Sequence, residues 1–150
     1  MEHSGQGVNR ATMEATLKKH CIPTLRAQGF RGAYPHLYRS DDSFVALITF
    51  QFFSSGGSFC INLGYADPAR KNVTFKPETA VPKLRVNATR DQRRLGQPSG
   101  GGDHWFSYGL TSYGVFRGTP EPPEDIAEKC ADLIMSEGEA WWRTKMTPGP

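Results

Sequence analysis

Apolar residues recur every four positions at Met13, Leu17, Cys21 and Leu25, a spacing that predicts an amphipathic helix with these side chains on one stripe. Lys18, Lys19 and Arg26 fall largely off that stripe, Asn9 supplies an N-cap, and Gly29-Phe30 has the composition of a helix end. Pro23 lies inside the pattern and is expected to kink the helix or divide it in two, because it removes a donor and crowds the preceding turn. From Tyr34 the period changes to two. Tyr34–Arg39, with Pro35, suits an edge strand or a strand start, and Ser40-Asp41-Asp42-Ser43 has turn chemistry.

The strongest strand pattern runs from Phe44 to Phe53, followed by the turn Ser54-Ser55-Gly56-Gly57 and a second strand, Ser58–Tyr65. With Phe53 opposite Ser58, the pairs Phe52/Phe59, Phe50/Ile61, Ile48/Leu63 and Ala46/Tyr65 share one face. Gln51/Cys60, Thr49/Asn62 and Leu47/Gly64 share the other. A slip of one residue would set Ile61 and Leu63 against Gln51 and Thr49, so the pattern specifies its own register.

Pro68, Pro77 and Pro82 mark an irregular stretch, after which Leu84, Val86 and Ala88 alternate with polar residues and predict a fourth strand. Gly96–Gly102 reads as a flexible loop, Asp103–Tyr108 is too short to classify, and Tyr113–Arg117 is a candidate short strand. Pro122 and Pro123 open a last helix, Glu124 and Asp125 suit its positive end, and Ile126, Cys130, Leu133, Ile134 and Trp141 form its stripe. Of the adjacent pair Trp141 and Trp142, the first is expected inside and the second partly outside. The order helix, strand meander, helix defines an α+β fold. It predicts an antiparallel β-sheet of about four to five strands, with N-terminal and C-terminal helices packed on its Phe50/Ile61 face and the reverse face at least partly open. One domain over 9–145 is expected, between a flexible arm (1–8) and a tail (146–150).

Composition adds limits. A length of 150 residues suffices to bury about 70% of the unfolded surface without staples, and no apolar run approaches the ~18 residues of a membrane span. Three cysteines, an odd number and widely spaced, predict reduced thiols in a cytoplasmic setting. The net charge of +3 does not make nucleic acid the default partner. Its distribution is uneven, however. Pro68–Leu95 carries eight basic residues (Arg70, Lys71, Lys76, Lys83, Arg85, Arg90, Arg93, Arg94) against Glu78 and Asp91. Glu121–Glu139 carries seven acids against Lys129.

Leu25-Arg26-Ala27-Gln28-Gly29-Phe30 precedes the pair Tyr38-Arg39. Phe50-Gln51 leads through a Ser/Gly turn into Ser58-Phe59-Cys60-Ile61-Asn62-Leu63-Gly64, and Arg93-Arg94-Leu95-Gly96 is followed by Asp103-His104-Trp105-Phe106. In order and spacing this succession resembles the bacterial domain-of-unknown-function 4304 (DUF4304) family over roughly residues 13 to 142. The resemblance implies a small cytosolic α+β domain and carries no catalytic role with it. Similar sequences usually show two tryptophans after the aspartate, where this chain has Trp105-Phe106.

Candidate chemistry is sparse. His3, His20, His36 and His104 stand singly, with no Cys-x-x-Cys and no His-Glu-x-x-His, so no metal and no cofactor is expected. No Gly-x-Ser-x-Gly elbow is present, and Cys21, Cys60 and Cys130 read as small buried apolar residues. The leading expectation is a non-enzymatic protein-binding module, such as an immunity-type or accessory protein whose partner is a protein, for instance a toxin. Contact would run through Arg85, Arg90, Arg93 and Arg94 with Trp105 and Tyr108, or through Glu124, Glu128 and Asp132 on the last helix. The alternatives are nucleic-acid binding by those arginines with Trp105 or Tyr108 stacking, and an enzyme pocket on the open sheet face. The face candidates are Thr49, Gln51, Asn62 and His104, with Arg94 added in the enzyme reading. The open face or an edge strand leaves room for pairing with a second copy.

Overall fold

The computed structural model describes residues 8–41, 44–97, 104–114 and 118–146. The first stripe forms α1 (Arg10–His20) and α2 (Ile22–Ala27), separated at Cys21 where Pro23 enters the first turn of the second piece. Asn9 caps α1, its side-chain oxygen accepting from the Thr12 N–H at 2.9 Å. Gly29 takes φ +94°, and the Phe30 and Gly29 amides donate to the Leu25 and Arg26 carbonyls, each at 3.0 Å. That is a Schellman stop, which needs a residue without Cβ in the left-handed region. Met13, Leu17, Cys21 and Leu25 are all fully buried.

Strands β1 (His36–Asp41), β2 (Phe44–Phe52) and β3 (Ser58–Ala66) form an antiparallel meander. The short strands β4 (Arg93–Arg94) and β5 (Phe106–Ser107) both pair with β3. The register of β2 on β3 is the one the pattern specifies, with Phe52 opposite Phe59, Phe50 opposite Ile61 and Ile48 opposite Leu63. Ser40 and Asp41, expected in a turn, continue β1. The helices α1, α2 and α3 (Pro123–Leu133) cover the Phe50/Ile61 face and close the main core with Phe30, Phe59, Cys130 and Ile134.

The reverse face is not simply open. Part of it carries a second, smaller core in which Val45, Leu47 and Ala66 lie under Val73, Leu84 and Val86 of the loop that follows β3. Gly64 permits this approach, since a Cβ there would stand 3.0 Å from Thr89 Oγ1 and 3.2 Å from Val86 Cγ1. The strand expected at Leu84–Ala88 is therefore corrected to two 3-10 turns, Val81–Lys83 and Val86–Ala88. Their N–H groups bond locally to carbonyls three residues back, and the alternation arises because Leu84 and Val86 both dock on the sheet. Residues 113–114 of the expected strand Tyr113–Arg117 form a turn, and the rest lies outside the described residues.

The last helix holds the second correction. After α3 the chain widens into a π-helical turn, Ile134–Gly138, before α4 (Glu139–Met146). A π turn inserts one residue relative to α spacing, so every later side chain moves on by about one position around the helix. Trp142, and not Trp141, is accordingly fully buried, and its indole N–H donates to the Gly64 carbonyl at 2.8 Å. Trp141 is half-buried against the edge of Tyr65. The expected arm and tail lie outside the described residues except at Val8, which packs on the core, and Met146.

Candidate functional site

Register brings one polar row straight across the reverse face: His36 on β1, Thr49 on β2, Asn62 on β3 and Arg94 on β4. His36 Nδ1 lies 3.1 Å from Thr49 Oγ1, and Arg94 Nε donates to Asn62 Oδ1 at 3.0 Å. Gln51 stands on the same face, and its Oε1 accepts from Asn62 Nδ2 at 2.8 Å. Above the row, Val86, Asn87 and Gln92 of the loop form a wall, and the enclosed cleft has a volume of about 480 Å³. This is within the range of roughly 300–1,000 Å³ common to ligand pockets. The imidazole of His36 titrates below its ordinary value, first because it is partly buried and then because Arg85 lies nearby.

The open-face set is thus brought together in three of its four members. Thr49, Gln51 and Asn62 meet with Arg94, but His104 does not join them. Like Phe106 two residues on, His104 points toward the helix side. Its ring stands edge-on to Phe106 at 4.8 Å, directly over Gly96, where a Cβ would come within 2.7 Å of it. Partial burial, then Lys129, hold its pKa below the ordinary value. His36, Asn87 and Gln92 complete the cleft, and no periodicity in the sequence marks them.

The arginine and aromatic candidates are scattered. Adjacent residues of a strand face opposite ways, so Arg94 joins the cleft while Arg93 turns to the helices, where its Nε meets Glu137 at 2.8 Å. Arg85 donates to the Pro82 and Leu84 carbonyls, and Arg90 to that of Lys71. Trp105 packs on Phe53, with ring centroids 4.2 Å apart. Tyr108 is buried in the main core beside Phe52, which withdraws its ring from any surface. Glu124, Glu128 and Asp132 form an exposed stripe on α3, with Glu124 Oε2 3.9 Å from His20 Nε2, whereas Glu121, Glu137 and Glu139 are engaged by Lys129, Arg93 and Arg39.

Two of the three thiols are held protonated by burial. Burial pushes the Cys21 thiol up to about 12, and burial followed by the nearness of Cys21 raises Cys130 well above its ordinary value. The Cys60 thiol lies 3.8 Å from both Gln51 Oε1 and Asn62 Oδ1. All three cysteines are buried thiols outside any disulfide. In the native protein none is expected to react with an aromatic disulfide reagent at neutral pH within minutes, and all three should react once urea unfolds the chain. Rapid labelling of a thiol in the folded state would contradict that burial. Among the described residues no cluster of three or more His, Cys, Asp or Glu side chains is arranged to hold a metal.

A family model described as a domain of unknown function (DUF4304) matches residues 21–109. The chain belongs to DUF4304. The matched segment contains α2, all five strands, the loop over the reverse face and every residue of the cleft, while α1, α3 and α4 lie beyond it. Membership in DUF4304 brings no activity with it. No curated protein and no solved structure matches the chain.

Proposed function

We propose that the chain is a non-enzymatic protein-binding module that docks an acidic segment of a partner protein on the loop between β3 and β4. The observation that carries this reading is Phe75, an aromatic side chain 63% exposed at the tip of that loop. It borders a groove of about 270 Å³ lined also by Lys76, Lys83, Leu84 and Arg85, with no carboxylate among the described lining residues. Exposed aromatic residues flanked by cations are the composition of interface anchors.

The tip is held rigidly, which lowers the entropy lost on binding. Arg70 Nη1 donates to the carbonyls of Pro77 and Thr79 at 2.8 and 2.9 Å, and the Thr74 N–H donates to the Ala88 carbonyl at 2.7 Å. Lys76 sits at φ +49°, a left-handed conformation fixed by Thr79, whose N–H and hydroxyl both donate to its carbonyl. An accessory or immunity-type role suits a domain of this size and charge layout. A reducing compartment such as the cytoplasm suits its three buried, unbridged thiols. No helix among the described residues is long and apolar enough to cross a membrane.

The test is affinity capture from native cells followed by rate measurements on the recovered partner. Phe75→Ala, and separately Lys76→Glu with Lys83→Glu, are each expected to weaken binding about tenfold. The charge reversal should act mainly on the association rate and flatten its salt dependence. Reversing Glu124, Glu128 and Asp132 together should leave the partner bound. Equal recovery of the partner by the loop variants would refute this surface, as would a short oligonucleotide that displaces the partner and binds with a steep salt dependence.

A further inference from the structure

We infer that the reverse-face cleft is a second binding site, distinct from the Phe75 groove, for a small ligand bearing a carboxylate next to an N–H donor: a free amino acid or the C-terminal residue of a peptide.

The polarity of the cleft floor follows from one arginine. A guanidinium can only donate hydrogen bonds. Arg94 Nε therefore fixes the Asn62 amide with its oxygen toward the arginine, at 3.0 Å, and its nitrogen toward Gln51. Asn62 Nδ2 donates to Gln51 Oε1 at 2.8 Å, which turns the Gln51 amide in the same sense. The Cys60 thiol, 3.8 Å from both amide oxygens, has one weak S–H that either of these acceptors can take. What remains of Gln51 is its NH₂ group, and Gln51 lines the cleft. Arg94, Asn62 and Gln51 are thus a relay of aligned dipoles whose positive end is a side-chain donor in a concave site, and aligned hydrogen bonds strengthen one another. Such an end selects an acceptor, and a carboxylate before a neutral carbonyl, since hydrogen bonds to ionised acceptors are the stronger.

The loop wall contributes the complementary polarity. Gln92 Nε2 uses its hydrogens on the carbonyls of Val86 and Thr89, at 3.0 and 2.8 Å, so only its Oε1 remains to accept. Among the described residues, no Asp or Glu lines the cleft. A side-chain donor at Gln51, an acceptor at Gln92 and a volume of about 480 Å³ match a group that carries a carboxylate and an adjacent N–H.

The test uses the full chain and side-chain amide signals in ¹H–¹⁵N spectra. N-acetylalanine, with a carboxylate and an amide N–H, is expected to shift the Gln51 and Asn62 signals saturably, and N-acetylalanine amide is not. Gln51→Leu, at an exposed position that should fold as before, is expected to weaken the acid about tenfold. L-alanine binding more tightly than N-acetylalanine would identify a free amino acid as the ligand, and the reverse order a peptide terminus. Equal responses to acid and amide, no saturable shift with either, equal binding by inorganic phosphate, or unchanged affinity in Gln51→Leu would each overturn the inference. Phe75→Ala should bind N-acetylalanine normally, so failure of the partner-docking reading and failure of this site are told apart.

Discussion

Trp142→Ala is expected to lower the free energy of unfolding by about 3–5 kcal/mol, the cost usual for emptying a large aromatic site in a core. Trp142 is fully buried, donates to the Gly64 carbonyl and tilts against Phe30 with centroids 5.5 Å apart. Its removal leaves both a cavity and a carbonyl without its indole donor, and neither loss can be repaired by a shift of the short α4. Trp141→Ala, at a half-buried site against Tyr65, is expected to cost about 1 kcal/mol. Urea denaturation of the two variants compares them directly. The opposite ranking would mean that the π turn at Ile134–Gly138 does not exist in solution, because straight α spacing puts Trp141 on the inner stripe.

The second large effect is expected at Arg39. Its guanidinium meets Glu139 in a two-pronged pair at 2.6 and 2.7 Å, donates to the Gln28 carbonyl at 3.2 Å, and lies over the Phe30 ring at 4.5 Å. Both side chains are only 18% exposed, so the pair is screened much less than a surface bridge. Arg39→Leu is expected to cost about 2 kcal/mol, since it strands the Glu139 carboxylate in a half-dry site. The double change with Glu139→Leu should cost clearly less than the sum of the single changes. Lys cannot reproduce the fork, so Arg39→Lys should recover little of the loss. Urea is the denaturant of choice, because guanidinium chloride would screen the pair under study. Additive single and double variants would show that the two side chains do not interact in solution.

How much of this was legible beforehand depended on whether a residue's surroundings were local. Met13 to Leu25 and the β2–β3 hairpin could be read because their periods of four and two leave one way to bury the stripe. For that reason Thr49, Gln51 and Asn62 could be assigned to one face. α spacing puts Trp141 inside where the structure buries Trp142, because a π turn has no sequence mark; it exists where tertiary contacts, here Glu137 with Arg93 and Gly96, hold the helix wide. The Leu84–Ala88 segment mimicked a strand because two turns dock the same alternate residues on a sheet. Two-residue strands such as β4 carry no period at all, so the pairing of Arg94 with Asn62 and the entry of His36 and Gln92 into the cleft emerge only from the assembled fold. The DUF4304 resemblance likewise implied an α+β domain and carried no chemistry with it.

The widened turn also has a mechanical meaning. Glu137 reaches β4 through Arg93, and Glu139 reaches β1 through Arg39, so one short stretch of chain grips the two outer rims of the sheet. Braced from behind at both margins, the sheet keeps a fixed curvature, and the hollow on its far side inherits its breadth from ion pairs that never touch what the hollow would contain.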